Sequence, residues 1–476
     1  MMALIVRLQL ISWLRDRRLA LALLLSVLAL MAVSVWSTGS DALQMEAHAE
    51  AAEAAREQWE GRGPAHPHSM AHYGDFAFRP SGPLARLDRG VQARLGKVLR
   101  IEGHRQGTPL FADAARAGTV ARFPRPDAAF FIHTVIPLLL IFLGAMGLAA
   151  DRETGRLRLS MAQGIGGRAL VAGHFVALWL LGLALLLVIV VTSWGASAAV
   201  DATAHVGAGR MLAFVLVHGL FLAVVSAGIA VASVWARSGR AALLILLTVW
   251  VAGSAVLPRV TSSAASAMFP LPSRDAFQAG IKKAREAGPD GHNPKDAFIE
   301  RRRQEVLDEY GVEAVDELPI NFDGIAMQLD EEFANQIWDE HHGKLEARMN
   351  RQSQVGTLGA LFNPFQSVDH VSMTVAGTDL LHDLSFLDQA ESYRRTLIGQ
   401  LNHEHAYGGS KTGDRSFQAT SEFYASLAPF QYTAPHVLEA LQYRLGEIIS
   451  LVLWLLLLIG ALVRGGTGLE RGKLPC

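Results

Sequence analysis

Apolar and polar residues alternate along the chain in long blocks. Six blocks carry almost no charge: 19–37, 128–150, 169–194, 211–235, 241–257 and 448–463. About 20 apolar residues in a helix cross the hydrocarbon of a bilayer, so each block is predicted to be a membrane-spanning helix. Only Ala236–Arg240 separates the fourth block from the fifth, which predicts an antiparallel hairpin. The first block follows Arg15, Arg17 and Arg18, as a signal peptide would. Its apolar core, however, is longer than the roughly 7–15 residues of a signal h-region, and no small-x-small cleavage site follows closely. It is read as an uncleaved span.

The polar blocks have patterns of their own. Residues 41–60, DALQMEAHAEAAEAAREQWE, are good helix formers and predict that the first span continues as a helix out of the bilayer, until Gly61–Pro64 stops it. The stretch 71–91, AHYGDFAFRPSGPLARLDRGV, is rich in Gly, Pro and aromatics and predicts irregular or short extended structure. Ile325, Leu329, Phe333, Ile337, His341, Leu345 and Met349 recur every four residues, which is one face of a long amphipathic helix. A second helix is predicted over 380–403, with Asn363–Phe365 breaking the chain between the two. The expected fold is mainly α: a six-span transmembrane bundle with two extracytoplasmic insertions, the second a largely helical domain.

Charge orients this bundle. Arg7, Arg15, Arg17 and Arg18 precede the first span. Arg152, Arg156, Arg158 and Arg168 lie between the second and third, Arg237 and Arg240 in the hairpin, and Arg464, Arg471 and Lys473 after the sixth. With six spans all four groups fall on one side, which the positive-inside rule makes cytoplasmic. Residues 1–18 then form a cytoplasmic or interfacial helix, with Ile5, Leu8, Ile11 and Leu14 set among basic residues. Residues 151–168 and 464–476 are cytoplasmic as well. Segments 38–127 and 258–447 lie outside, which in a bacterial inner membrane is the periplasm.

Composition adds exclusions. The chain is 51% hydrophobic and 18% charged, against about 25% charged in an average soluble domain. A net charge of −1 gives no reason to expect nucleic acid as a partner. Cys476 is the one cysteine, so no internal disulfide forms, and it lacks the arrangement prenylation needs. No phosphate-binding loop is present: GGSKTG at 408–413 has Ser410 where the second glycine belongs. Any ATP is therefore hydrolysed by another subunit. No span carries a central Asp, Glu, Lys or Arg, which argues against ion-coupled transport. His133, His174 and His218 are the ionisable residues within or at the edges of spans two to four, and His133 and His218 are expected to be satisfied inside the bundle.

Seventeen histidines invite the question of metal. They group as His66/His68/His72, His341/His342, His370/His382 and His403/His405. With no HExxH and no cysteine partner, they are read as surface or helix-packing residues, and no metal is expected. Asp369–His370 and Asp379…His382 are read as helix caps. An intramembrane enzyme would need HExxH or Ser with Lys, and neither is visible.

Two stretches carry a family resemblance. GLAADRETGRLRLSMAQ (147–163) followed by GIGGRALVAGHF (164–175) resembles the signature of ABC-2 type permeases. In that family this segment is the cytoplasmic coupling helix that docks on the ATPase. The matching positions are Glu153, Gly155, Leu157, Leu159, Arg168 and Gly173. Arg156 stands where Thr is usual, Gly164–Gly167 replaces a turn with proline, and His174 replaces Lys. The run 363–395, NPFQSVDHVSMTVAGTDLLHDLSFLDQAESYRR, is similar to the hallmark of one ABC-2 subfamily whose large outer domain has no assigned function. Its motif positions are Asn363, Pro364, Ser372, Gly377, Thr378, Asp379, His382, Tyr393 and Arg394. Residues 71–91 fit the first outer loop of the same subfamily.

The resemblance implies a non-catalytic permease subunit that binds no cofactor itself, with ATP and Mg on a partner ATPase docked at Glu153, Gly155, Arg156, Leu157, Leu159 and Arg168. It implies a second permease copy or a related permease beside it, and membrane lipid around both. The large outer domain adds a periplasmic partner or substrate on which exported cargo or mechanical work would act. The alternative is a membrane-anchored periplasmic scaffold or sensor without transport. Read alone, a Leu-rich turn flanked by Arg suits a soluble partner or an anionic membrane surface equally.

Overall fold

The computed structural model describes residues 1–107, 110, 127–200, 207–287, 295–472 and 474. Lys473 and Cys476 lie outside them, as does most of 108–126. Among the described residues six helices are long and apolar enough to cross a membrane. The fold is mainly helical, and the chain reads as a membrane protein.

Helix α1 covers Met2–Arg15. Asp16 then caps α2 (Arg17–Glu60), its carboxylate accepting from the amides of Arg18 and Leu19. At 44 residues, α2 is about 66 Å long, roughly twice the hydrocarbon thickness. It therefore projects well beyond the bilayer, as the Ala/Glu run predicts, and ends at Gly61. Helix α3 (Pro67–Tyr73) leads into a two-stranded antiparallel sheet, β1 (Asp75–Phe78) on β2 (Val98–Ile101).

The remaining spans are α4 (Ala128–Glu153), α6 (Gly167–Val200), α7 (Ala208–Trp235), α8 (Gly239–Met268) and α16 (Leu445–Glu470), with the short α5 (Arg156–Ala162) between α4 and α6. Two spans widen locally, at Phe131–Val135 in α4 and Ala252–Val256 in α8, where the backbone takes a π turn. Each π turn is followed two residues later by a proline, Pro137 and Pro258. A proline ring crowds the carbonyl four residues back. The wider turn moves that carbonyl aside, so the helix continues.

The polar part after α8 holds α9 (Arg274–Ala287), α10 (Lys295–Tyr310), α11 (Phe322–Leu361), α12 (Pro364–Ala376), α13 (Leu380–Tyr407), α14 (Ser421–Ser426) and α15 (Val437–Gln442). The four-residue repeat 325–349 lies along α11, and none of its seven residues is exposed. The expected 380–403 helix runs on to Tyr407. Span five continues to Met268, beyond the expected 257.

One element departs from expectation more deeply. The break at Asn363 begins a separate helix, α12, whose Val368, Val371, Val375 and Ala376 share a core with Phe214, Phe221 and Leu451 of the spans. Apolar residues every three to four positions suit a helix packed against other helices. This part of 258–447 is therefore wedged against the bundle rather than standing clear of it.

Both long polar segments contribute to one further core. Trp59, Met70, Ala77, Leu99 and Ile101 pack with Phe386, Leu397, Leu401, Tyr424 and Leu427. A buried charge pair joins them, Arg79 with Asp383, and a second ties α13 to α11 within the later segment, Arg394 with Glu331 at 2.7 Å. They form a single body at one end of the bundle. At the opposite end sit α1, α5, the α7–α8 connection and the end of α16, with all the short basic segments.

Candidate functional site

The α4–α6 connection is built as a small braced platform. Gly155 takes a left-handed conformation, φ +75°, which glycine adopts without penalty; it turns α4 sharply into α5. Arg152 donates to the carbonyls of Val234 (2.6 Å) and Ala236 (2.7 Å) at the end of α7. Glu153 accepts from the amide of Gly239 at 3.1 Å, at the start of α8. Arg168 holds Glu470 of α16 at 3.1 Å, and Arg156 holds Asp151 at 2.8 Å. The connection is thus tied to α7, α8 and α16 as well as to its own flanks. Gly173 leaves room for Ile5, which packs α1 on α6.

Two leucines expected on the docking face part company here. Leu157 is 2% exposed and packs with Leu148, Val171, Val234 and Leu462, so it offers no surface to a partner. Leu159 is 60% exposed and stands outward with Arg156 and Arg158.

The 363–395 motif lies at the other end and forms a clasp between the wedge helix, the spans and segment 38–127. Asn363 caps α12 and donates to the carbonyl of Gly253, in the π turn of α8, at 2.8 Å. Pro364 fills the first turn, where its missing N–H costs nothing. Ser372 donates to Asp88 at 2.5 Å. Gly377 ends α12 at φ +76°, and the carbonyl of Thr378 accepts from the amides of Val91 and Gln92. Asp379 caps α13 and receives His382 Nδ1 at 2.6 Å, Thr374 Oγ1 at 2.5 Å and Arg444 at 3.4 Å. Burial pushes the Asp379 carboxyl up. The hydrogen bond and charge of His382, the Thr374 hydroxyl and Arg444 outweigh this and hold it at about 2. Tyr393 donates to Asp75 at 2.5 Å, and its phenol is pushed up by burial and by that carboxylate. Arg394 is 1% exposed and bonded to Glu331, Glu391 and Asn335. Every motif residue is engaged within the chain, so the geometry is that of a structural joint.

Residues 276–433 match a family model described as a domain of unknown function, DUF3526. The match runs from α9 through α14 and covers less than half of the chain. No curated protein and no solved structure matches the chain.

The spans' histidines are all partnered, His133 and His218 as expected and His174 as well. His133 and His218 meet at 3.0 Å, His218 also reaches the Phe214 carbonyl, and His174 lies between the Gly144 carbonyl and Gln9. Most outer histidines also fit the bland reading. His341 bonds the Ile337 carbonyl, His342 stacks on Trp338, and His403 packs on Tyr407. His370 meets Glu447 at 3.3 Å. Asp379 is a cap as expected, whereas Asp369–His370 falls inside α12, where no cap is needed.

Sequence reading missed three partners of the clasp, Asp88, Arg444 and Glu331. They are polar residues in ordinary polar surroundings, and nothing local marks them. It also missed His104, which stands beside His68 and His72. Hydrogen bonds to Asp330 and Glu331 raise His104 to about 9, whereas burial and the neighbouring histidines lower His68 to about 4.

Proposed function

We propose that this chain is the membrane-spanning subunit of an ABC transporter of the ABC-2 type, coupled to a separate ATPase. Both termini then face the cytoplasm of a bacterial cell, and the body built from 38–127 and 258–447 faces the periplasm. The α4–α6 platform carries the reading. It lies at the basic end of the bundle, presents Arg156, Arg158 and Leu159, and is bonded to three other spans. A partner pressing on α5 would move α4, α7, α8 and α16 together. At the far end the wedge helix α12 touches the same spans, so that motion would reach the outer body as export or as mechanical work on a periplasmic partner.

The test is co-purification of the tagged chain in mild detergent, with an assay for ATP hydrolysis. A phosphate-loop ATPase should accompany it, and Leu159→Asp or Arg158→Glu should release that ATPase while leaving the permease folded. A stable chain with no ATPase in association would overturn the reading in favour of a membrane-anchored scaffold or sensor.

A further inference from the structure

The segment HPHSMAH places His68 and His72 four residues apart on α3, so their rings share one helix face. Their Nε2 atoms lie 3.1 Å apart. A tetrahedral zinc ion with bonds of about 2.05 Å to nitrogen holds two ligand atoms about 3.3 Å apart, so the pair is already near that spacing. The third ring comes from the loop after β2. His104 lies with its centroid 5.5 Å from that of His68 and 5.2 Å from that of His72. One ring nitrogen from each of the three falls within 4.8 Å of the others.

The loop holds His104 there at some conformational expense. It is the one non-glycine residue with positive φ (67°) among those described, in a region that a β-carbon disfavours. Three hydrogen bonds impose it. Gly103 donates to the Ala71 carbonyl of α3 at 2.9 Å, the His104 amide donates to Glu331, and the His104 carbonyl accepts from Arg285 at 2.8 Å. The Nδ1 of His104 lies 3.1 Å from Glu331 and 3.6 Å from Asp330. A carboxylate on one imidazole nitrogen fixes the ring and turns the other nitrogen outward, as outer-shell carboxylates do for metal-binding histidines. Glu331 is fixed in turn by Arg394 at 2.7 Å. On the other ring, the Nδ1 of His68 is buried without a hydrogen-bond partner.

We propose that His68, His72 and His104 form a binding site for a divalent late transition ion, Zn²⁺ or Cu²⁺, with a fourth position open to water. Imidazole ligands select these ions over Mg²⁺ and Ca²⁺, which take oxygen. Three protein ligands with one on the surface, His72, make an exchangeable site rather than a closed structural one. His66 stands outside the group: its Nδ1 caps α3 by accepting from the His68 amide, and its ring packs against His405 at 4.7 Å. The site stands whether or not the chain is a transporter.

The experiment uses the full chain in mild detergent, carrying a tag without histidine and stripped with a chelator. Zn²⁺ and Cu²⁺ are titrated separately, and bound metal is counted after desalting. One ion per chain is expected. His72→Gln, at an exposed position, should weaken binding at least tenfold without changing the unfolding midpoint of the metal-free protein, and His403→Gln should leave binding unchanged. Glu331→Gln should weaken binding 10–100-fold, as loss of an outer-shell partner does. Failure of both ions to bind, or wild-type binding by His72→Gln, overturns the proposal.

Discussion

Asp379 offers the sharpest test of the clasp. Its carboxylate joins the α13 cap, His382, Thr374 and Arg444. It titrates at about 2 in the folded chain, against 3.8 ordinarily. A carboxyl lowered by that much contributes about 2 kcal/mol of stability at neutral pH. The contribution is complete above the unfolded value and disappears as pH falls through the folded one. At pH 3 a little over half remains, about 1.3 kcal/mol, and by pH 2 most is gone. Asp379→Asn keeps the shape and an acceptor oxygen but removes the charge. Unfolding of wild type and variant, followed by tryptophan fluorescence in mixed detergent, should differ by about 2 kcal/mol at pH 7, and by visibly less at pH 3. A difference that does not change with pH would show that the charge is not what holds the joint. A difference below about 0.5 kcal/mol, the usual range for a surface change, would refute the clasp itself.

Two further outcomes follow from burial. Leu157→Ala should cost about 2–5 kcal/mol, the range for truncating a buried leucine, while Leu159→Ala should stay within about 0.5 kcal/mol; equal effects in an unfolding assay would contradict the placement of α5. Arg394→Met strands the buried Glu331 and should cost about 3–5 kcal/mol. Adding Glu331→Gln should recover part of that loss, and a double variant less stable than the single would show that the pair is not coupled as its 2.7 Å contact implies.

Much of the architecture was legible because it rests on local rules. Twenty uncharged residues in a row have few alternatives to a span, and six such helices stand among the described residues. The Ala/Glu run after span one has no helix breaker before Gly61, and α2 ends there. The repeat 325–349 has the helical period, and its face is covered along its whole length. Asp379, followed three residues on by His382, is a cap that can be read from spacing alone. The basic segments also gather at one end of the bundle, because spans of even number return the chain to the same side.

The sequence by itself therefore determined the six spans, their order and the long helices that run through 41–60, 325–349 and 380–403. Only the tertiary structure decided which faces they share. Leu157 and Leu159 are indistinguishable in a seven-residue helix, and the neighbouring α6, α7 and α16 bury one and leave the other out. Val368, Val371 and Val375 form an apolar stripe that could face any partner, and the packing set it against the spans. His104 is 32 positions from His72, and Glu331 is 227 from His104. Local periodicity reaches only a few residues along the chain. Contacts between distant segments depend on how whole elements stack, and that information appears only when the fold is complete.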